Sequence, residues 1–374
     1  MVEIQHPSLR IDHGVCYALF AYDVALAIDL DEAQRRVSAI TQRVPLRRTH
    51  PAPTYFDYRP APVRMTQVAE SLTLGAYVTN PNVDIVLYDF GAVLVIYTIP
   101  LRGDFTSLLP LSDTLYDNAL LLADSRHRVE QLCSTIQQAA TRPEISEVVE
   151  DYVIFHIQAF SEACPVEMLY PAYGEQIARI LRAEPQALST FEVQDALSYR
   201  VSYGVDDMTF IDWNAALVYD KAGEDVRAVL EFANVELLEM RYLDQLLDDA
   251  LDRLYRALPA PRWWSFTRVG GRRTELQRIA RLQVDSAILF EGVNNALKLL
   301  GDQYLARVYR LASQRFHLAE WDASILRKLQ TLESIYEKVS DQAASYRMEI
   351  LEWIIILLIA FEIVWPFVAK NVGR

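Results

Sequence analysis

Six arginines gather around one glycine pair in this chain. Arg262, Arg268, Arg272, Arg273, Arg278 and Arg281 surround Gly270-Gly271, just ahead of Thr274 and Gln277, which are spaced as a capping box at a helix start. Backbone N–H groups at such a start attract anions. Arg268, Arg272 and Arg273 are therefore a candidate contact for a phosphate, a lipid headgroup or RNA. The plainer reading is an inter-helix turn whose arginines pair with the abundant acids. Asp244, Asp248 and Asp252 recur every fourth residue and stack on one helix face. Stacked carboxylates can hold a metal, but no histidine joins them, and a solvated face is the simpler account. Asp212 and Asn214 alternate within the strand-like segment 211–220, which places both on one face with Ala216. They form a candidate polar site on a sheet, or a polar face that meets a helix N-terminus.

Other chemistry is sparse. The glycine, lysine, serine and histidine spacings of dinucleotide, nucleoside-triphosphate, hydrolase and zinc-protease motifs do not occur. His6, His13, His50, His127, His156 and His317 are scattered, with no pair at metal-ligand spacing. No catalytic residue, metal or cofactor is expected. Cys16, Cys133 and Cys164 form no CxxC pair and read as reduced core thiols. The net charge of −14 repels phosphate over a broad surface, so direct nucleic-acid binding is not expected beyond a local basic patch.

The elements that position these residues change character along the chain. Up to residue 222 the pattern is mixed. Residues 16–21, 83–88, 92–99 and 149–157 read as strands, with a hairpin turning at Asp89-Phe90-Gly91. Helices are predicted at 29–40, 111–139 and 173–183, and a second hairpin at 197–219, turning at 204–207. The order strand, helix, strand, strand, helix, strand points to an α+β head of ferredoxin-like units with helices over an antiparallel sheet. From 223 to 348 long helices take over. Residues 226–258 carry apolar side chains at helical spacing until Pro259 and Pro261 stop them. Ile325, Leu329, Leu332, Tyr336, Val339, Ala343 and Tyr346 alternate at spacings of four and three, a heptad seam. That seam serves equally an intrachain bundle or a coiled coil between copies.

Residues 349–370 close the chain. Trp353 to Ala369 is a seventeen-residue run in which Glu362 alone is charged. It spans about 26 Å as a helix, just short of a ~30 Å hydrocarbon core. Trp353 and Trp365 stand near its ends and Pro366 near its C-terminus. The run is expected to be a single membrane helix, with Glu362 as a helix–helix contact. The first residues lack a signal peptide. The expected arrangement is therefore a cytoplasmic head on a C-terminal anchor.

Residues 211–220 (IDWNAALVYD), 229–244 (VLEFANVELLEMRYLD) and 348–362 (MEILEWIIILLIAFE), with Phe90-Gly91 and the aliphatic strand after it, resemble the required-for-meiotic-nuclear-division family, which includes the fungal Sad1-interacting factors. The resemblance implies an α+β region, helices and a hydrophobic C-terminal helix containing a glutamate. It implies no enzyme activity, but homo-oligomers at an inner membrane that support translation by holding ribosomes nearby. Without a transit peptide the chain looks like a bacterial relative.

Two functional expectations follow. One is a tail-anchored oligomeric scaffold whose head binds a protein partner. The alternative is an enzymatic or ligand-sensing head, which a deep pocket holding Asp212, His156 or Arg200 would favour, whereas a flat, filled sheet would favour the scaffold. A ribosome or RNA contact through the 262–281 arginines would weaken steeply with salt.

Overall fold

The strands of the first 220 residues are apolar at consecutive positions, and such runs need cover on both faces. In the computed structural model they have it. The described residues are 9–37, 40–43, 60–162, 165–257, 303–335, 338 and 355–356. They divide between two compact units, one drawn from 1–245 and 285–323, the other from 246–284 and 324–374.

The first unit holds a nine-stranded sheet. Its strands are β1 (Arg10–Asp23), β3 (Ile40–Arg43), β4 (Val63–Val68), β7 (Asn82–Leu87), β8 (Ala92–Asp104), β10 (Val149–Phe160), β11 (Arg200–Val201), β12 (Met208–Ile211) and β13 (Ala215–Tyr219). Their spatial order is β11-β12-β13-β10-β1-β8-β7-β4-β3. Two short pairs lie apart: β2 (Ala25–Ile28) with β9 (Ala140–Pro143), and β5 (Thr73–Leu74) with β6 (Tyr77–Val78).

The expected antiparallel sheet of ferredoxin-like units is corrected here. The sheet is mixed, because β10 runs antiparallel to β1 but parallel to β13. After β10 the chain crosses through α4 (Val166–Arg182) and α5 (Thr190–Ala196) before β11 and β12, and returns alongside β10 in the same direction. A long crossover of this kind is what a parallel neighbour requires. The fold is mixed α/β.

Alternation along the strands separates two faces. Cys16, Ala18, Phe20 and Tyr22 of β1 join Val93, Val95 and Tyr97 of β8 and Phe155 and Ile157 of β10 in one core. Over it lie α2 (Leu108–Leu115), α3 (Ala119–Ile136), α4 and α5. Tyr22 reaches Ser125 of α3, with oxygens 2.7 Å apart. On the other face lies α6 (Glu224–Ala257). The Arg227 guanidinium sits 4.5 Å from the centre of the Tyr17 ring, and Arg64 of β4 donates to Glu231 at 2.6 Å. A further helix, α7 (Gln303–Arg315), meets α6 where the Tyr309 hydroxyl donates to Glu236 at 2.7 Å.

Local signals explain where elements begin and end. Asp29 caps α1 (Leu30–Arg36) by accepting from the Glu32 N–H. The β7–β8 hairpin turns at Asp89–Gly91, as the sequence predicts. Gly91 has φ +103°, and a Cβ there would lie 1.6 Å from the Ala25 carbonyl oxygen. The predicted helix over 111–139 is instead two helices. Asp117 adopts a left-handed φ of 49°, and Asn118 starts α3 by accepting from the Leu121 N–H. The 208–219 segment is also two strands, so Asp212 and Asn214 sit in the turn between β12 and β13.

The membrane expectation is likewise corrected. Among the described residues no helix is long and apolar enough to cross a membrane. The longest, α6, carries charged side chains along its length. A single-pass C-terminal anchor and a membrane location are not supported. Hydropathy along a sequence records that side chains are apolar and not what covers them. Of residues 349–370 only Ile355 and Ile356 are described, both helical and exposed. Trp353, Glu362, Trp365 and Pro366 lie outside the described residues. On the heptad seam, Ile325 and Leu332 are buried and Leu329 is half-buried in helix α8 (318–335), while Tyr336, Val339, Ala343 and Tyr346 lie outside the described residues. In the second unit Lys328 of α8 pairs with Asp248 of α6 at 2.7 Å.

Candidate functional site

Asp212 is fully buried. A buried carboxylate survives only with partners, and the tertiary fold delivers two guanidiniums from two helices. Arg182, in the last turn of α4, donates through Nε to Asp212 Oδ2 at 3.0 Å. Arg315, at the end of α7, donates through Nε to Oδ1 at 2.6 Å. The Trp213 N–H donates to Oδ1 at 2.8 Å, and the Tyr152 hydroxyl donates to the Asp212 carbonyl at 2.9 Å. From α5, Asp195 bridges the two guanidiniums, accepting from Arg315 at 2.9 Å and from Arg182 at 2.5 Å. Glu192 of the same helix also accepts from Arg182.

Two guanidiniums face three carboxylates, and each has a hydrogen-bonded partner. The Arg315 hydrogen bond and charge, helped by Arg182, hold the Asp195 carboxyl below its ordinary range, although partial burial opposes this. Burial pushes the Tyr152 hydroxyl up, and the Asp212 charge adds to it. Arg315 further stacks over the Tyr199 ring at 5.1 Å. Charges already paired in this way form a clamp. The clamp ties the β12–β13 turn to α4, α5 and α7, and leaves Asp212 no oxygen free for a substrate.

The clamp positions two exposed aromatic side chains. Phe191 precedes Glu192, and Trp213 follows Asp212, so both flank partners of the same Arg182 guanidinium. Phe191 is 74% exposed and Trp213 49%.

The other residues singled out in the sequence are not brought together here. Asn214 is half-buried in the turn, where its carbonyl accepts from the Val153 N–H at 3.3 Å. His156 lies on the α6 face of β10, with Nε2 2.8 Å from the Asp220 carbonyl oxygen. Burial lowers its pKa, and because a carbonyl oxygen only accepts, Nε2–H is the donor. Arg200 stacks on Tyr170 at 4.4 Å and donates to the Leu197 carbonyl at 2.8 Å. Arg268, Arg272 and Arg273 lie outside the described residues. Asp248 and Asp252 are exposed and Asp244 half-buried; among the described residues no group of three metal-ligating side chains occurs. A cavity of about 110 Å³ opens between Tyr203, Asp207, Asp220, Asp225 and Tyr304, and none of Asp212, His156 and Arg200 lines it.

Sequence reasoning found Asp212 but missed Arg182, Asp195 and Arg315. A basic residue in the last turn of a helix is common for its own reasons, since it complements the helix dipole. Nothing local marks Arg182 and Arg315 as partners of the same carboxylate.

Fold and site together define a mixed α/β head, filled on both faces and closed at one end by a buried ion clamp. The chain belongs to the family described as "Uncharacterized protein MJ0711, N-terminal domain", which matches residues 13–225. It is 22% identical over 304 residues to the uncharacterized protein MJ0711 of Methanocaldococcus jannaschii, covering 80% of this chain and 83% of that one. No solved structure matches it. These findings overturn the resemblance to the meiotic-nuclear-division and Sad1-interacting family. The matching segments were short apolar strand and helix patterns that unrelated proteins share, because sheet and helix packing impose the same spacings on all of them. The implied support of translation rested on that resemblance and goes no further.

Proposed function

We propose that this chain is an oligomeric scaffold whose α/β head docks a protein partner through the surface around Phe191 and Trp213. The exposure of these two side chains on a rigid base is the observation that carries the reading. Large aromatic rings facing water are costly, and they are favoured anchors in protein interfaces. The Arg182 clamp fixes the backbone on either side of them, so little order is lost on binding. The chain's net charge of −14 favours a partner with a basic surface.

A photo-crosslinking residue at position 191 or 213, introduced into the full chain in cells, tests this. A discrete adduct from both positions, absent when the same residue replaces exposed Leu120 on α3, is expected. Equal labelling from all three positions rules the surface out. Sedimentation of the purified chain reads the oligomer directly, and a monomer mass at micromolar concentration removes that part.

The ligand-sensing alternative has one observation in its favour, the acid-lined cavity between Tyr203 and Tyr304. At about 110 Å³ it falls short of the roughly 300–1,000 Å³ usual for small-molecule pockets. The docking reading therefore stands first.

A further inference from the structure

We propose that Asp23 and Glu239 share one proton, and that this carboxyl–carboxylate contact fastens α6 to the end of β1 and is released when the proton is lost. Both side chains are 3% exposed. Among the described residues, Asp23 Oδ2 and both carboxylate oxygens of Glu239 have no hydrogen-bond partner. Two bare carboxylates cannot remain ionised side by side in a dry interior, because each lacks water and repels the other. A single proton between them turns one into a donor and the other into its acceptor, and so satisfies both.

The geometry places the pair together. Tyr17 and Asp23 lie on the same face of β1, six residues and about 20 Å apart. Arg227 lies over Tyr17, and Glu239 is twelve residues further along α6, about 18 Å. The two elements therefore come level again at Asp23 and Glu239. A second tie confirms the alignment: Arg241 pairs with Glu150 of β10, which stands beside Ala21 in the sheet.

The surroundings are rich in acid. Glu144, between β9 and β10, adds its charge to the burial that raises the Asp23 carboxyl, and Asp23 adds its own to the burial that raises Glu239. Tyr242 of α6 feels all three acids. Arg241, on α6, is engaged by Glu150, which also feels Asp151. From α3, Arg126 reaches over Tyr22 on the opposite sheet face and donates to the Ser146 carbonyl.

The folded chain thus holds a proton here that the unfolded chain gives up in the ordinary carboxyl range. The stabilisation is complete below that range and is lost as pH rises through the raised folded value. Thermal midpoints of the full chain from about pH 5 to pH 9 test the proposal in wild type, Asp23→Asn, Glu239→Gln and the double variant. The wild-type midpoint should fall with pH. Either single variant should remove the same part of the fall, and the double variant no more than that. Equal slopes in all four chains, or independent and additive effects of the two substitutions, overturn it. A carboxyl ¹³C titration of the wild-type chain needs no variant. It should show the two groups losing a shared proton in a step above the ordinary range, and two separate steps within that range refute the sharing.

Discussion

Arg315 donates to Asp212 across 103 residues of sequence, at 2.6 Å, and the carboxylate it reaches is fully buried. The contact joins the end of a late helix to a turn in the early sheet, and Arg182 completes it from a third element. Removing the carboxylate takes the fully buried partner from two guanidiniums that are each 11% exposed and leaves them only the half-exposed Asp195 and Glu192. Asp212→Ala should therefore cost about 3–5 kcal/mol, as breaking a buried ion pair does. Denaturant unfolding of the two chains gives the value directly, and a cost below about 1 kcal/mol would mean the arginines find other partners.

Phe191 and Trp213 stand outside the clamp. Replacing both by serine should leave stability within about ±0.5 kcal/mol, because exposed positions contribute little to folding. The same variant should lose the crosslinked adduct formed from a neighbouring surface position. Unchanged crosslinking with unchanged stability would separate these rings from any docking role.

Two other buried acids make stability depend on pH in a known direction. Burial raises Glu236 to about 8, against a lowering hydrogen bond from Tyr309, and burial raises Glu150 to about 7 despite Arg241. An unfolded glutamate releases its proton near pH ~4.3. Each group therefore stabilises the fold fully below that value, and the contribution declines as pH rises through 7 for Glu150 and 8 for Glu236. Glu236→Gln should flatten the fall of the thermal midpoint between about pH 6 and pH 9. It should do so independently of substitutions at Asp23 and Glu239, because Glu236 faces Tyr309 of α7.

Asn234 on α6 is fully buried, and among the described residues neither its amide oxygen nor its nitrogen has a partner. An apolar side chain of similar volume removes that burden. Asn234→Leu should raise stability by about 1–3 kcal/mol, the usual penalty of a buried unsatisfied polar group. A chemical-denaturation midpoint that moves down would show that the amide is needed there.

Gly91 cannot take a side chain. Its φ is +103°, and a Cβ would collide with the Ala25 carbonyl 1.6 Å away. Gly91→Ala should destabilise the chain by about 3 kcal/mol or more, through strain and displacement of β2 together. Calorimetry on the variant measures it.

Strand and helix positions were legible in the sequence where one local cause sufficed. The apolar runs at 83–88, 92–99 and 149–157 became β7, β8 and β10, and Gly91 turned the hairpin because only a glycine fits there. Asp29 stopped one element and started the next through its own side chain. The break at Asp117-Asn118 escaped notice because apolar spacing continues on both sides of it, and only the left-handed φ interrupts the helix.

The sequence by itself determined that this chain has a large apolar interior, acidic surfaces, strands that need cover on both faces, and a long charged helix after residue 224. Only the tertiary structure decided that β13 runs parallel to β10 and that Asp212 meets Arg182 and Arg315. It also decided that Asp23 and Glu239 are both buried, with carboxylate oxygens that lack a hydrogen-bond partner among the described residues. Periodicity is a local property, set by the geometry of a strand or a turn of helix. Pairing of charges far apart in sequence depends on which faces the packed layers bring together, and no spacing along the chain encodes that distance.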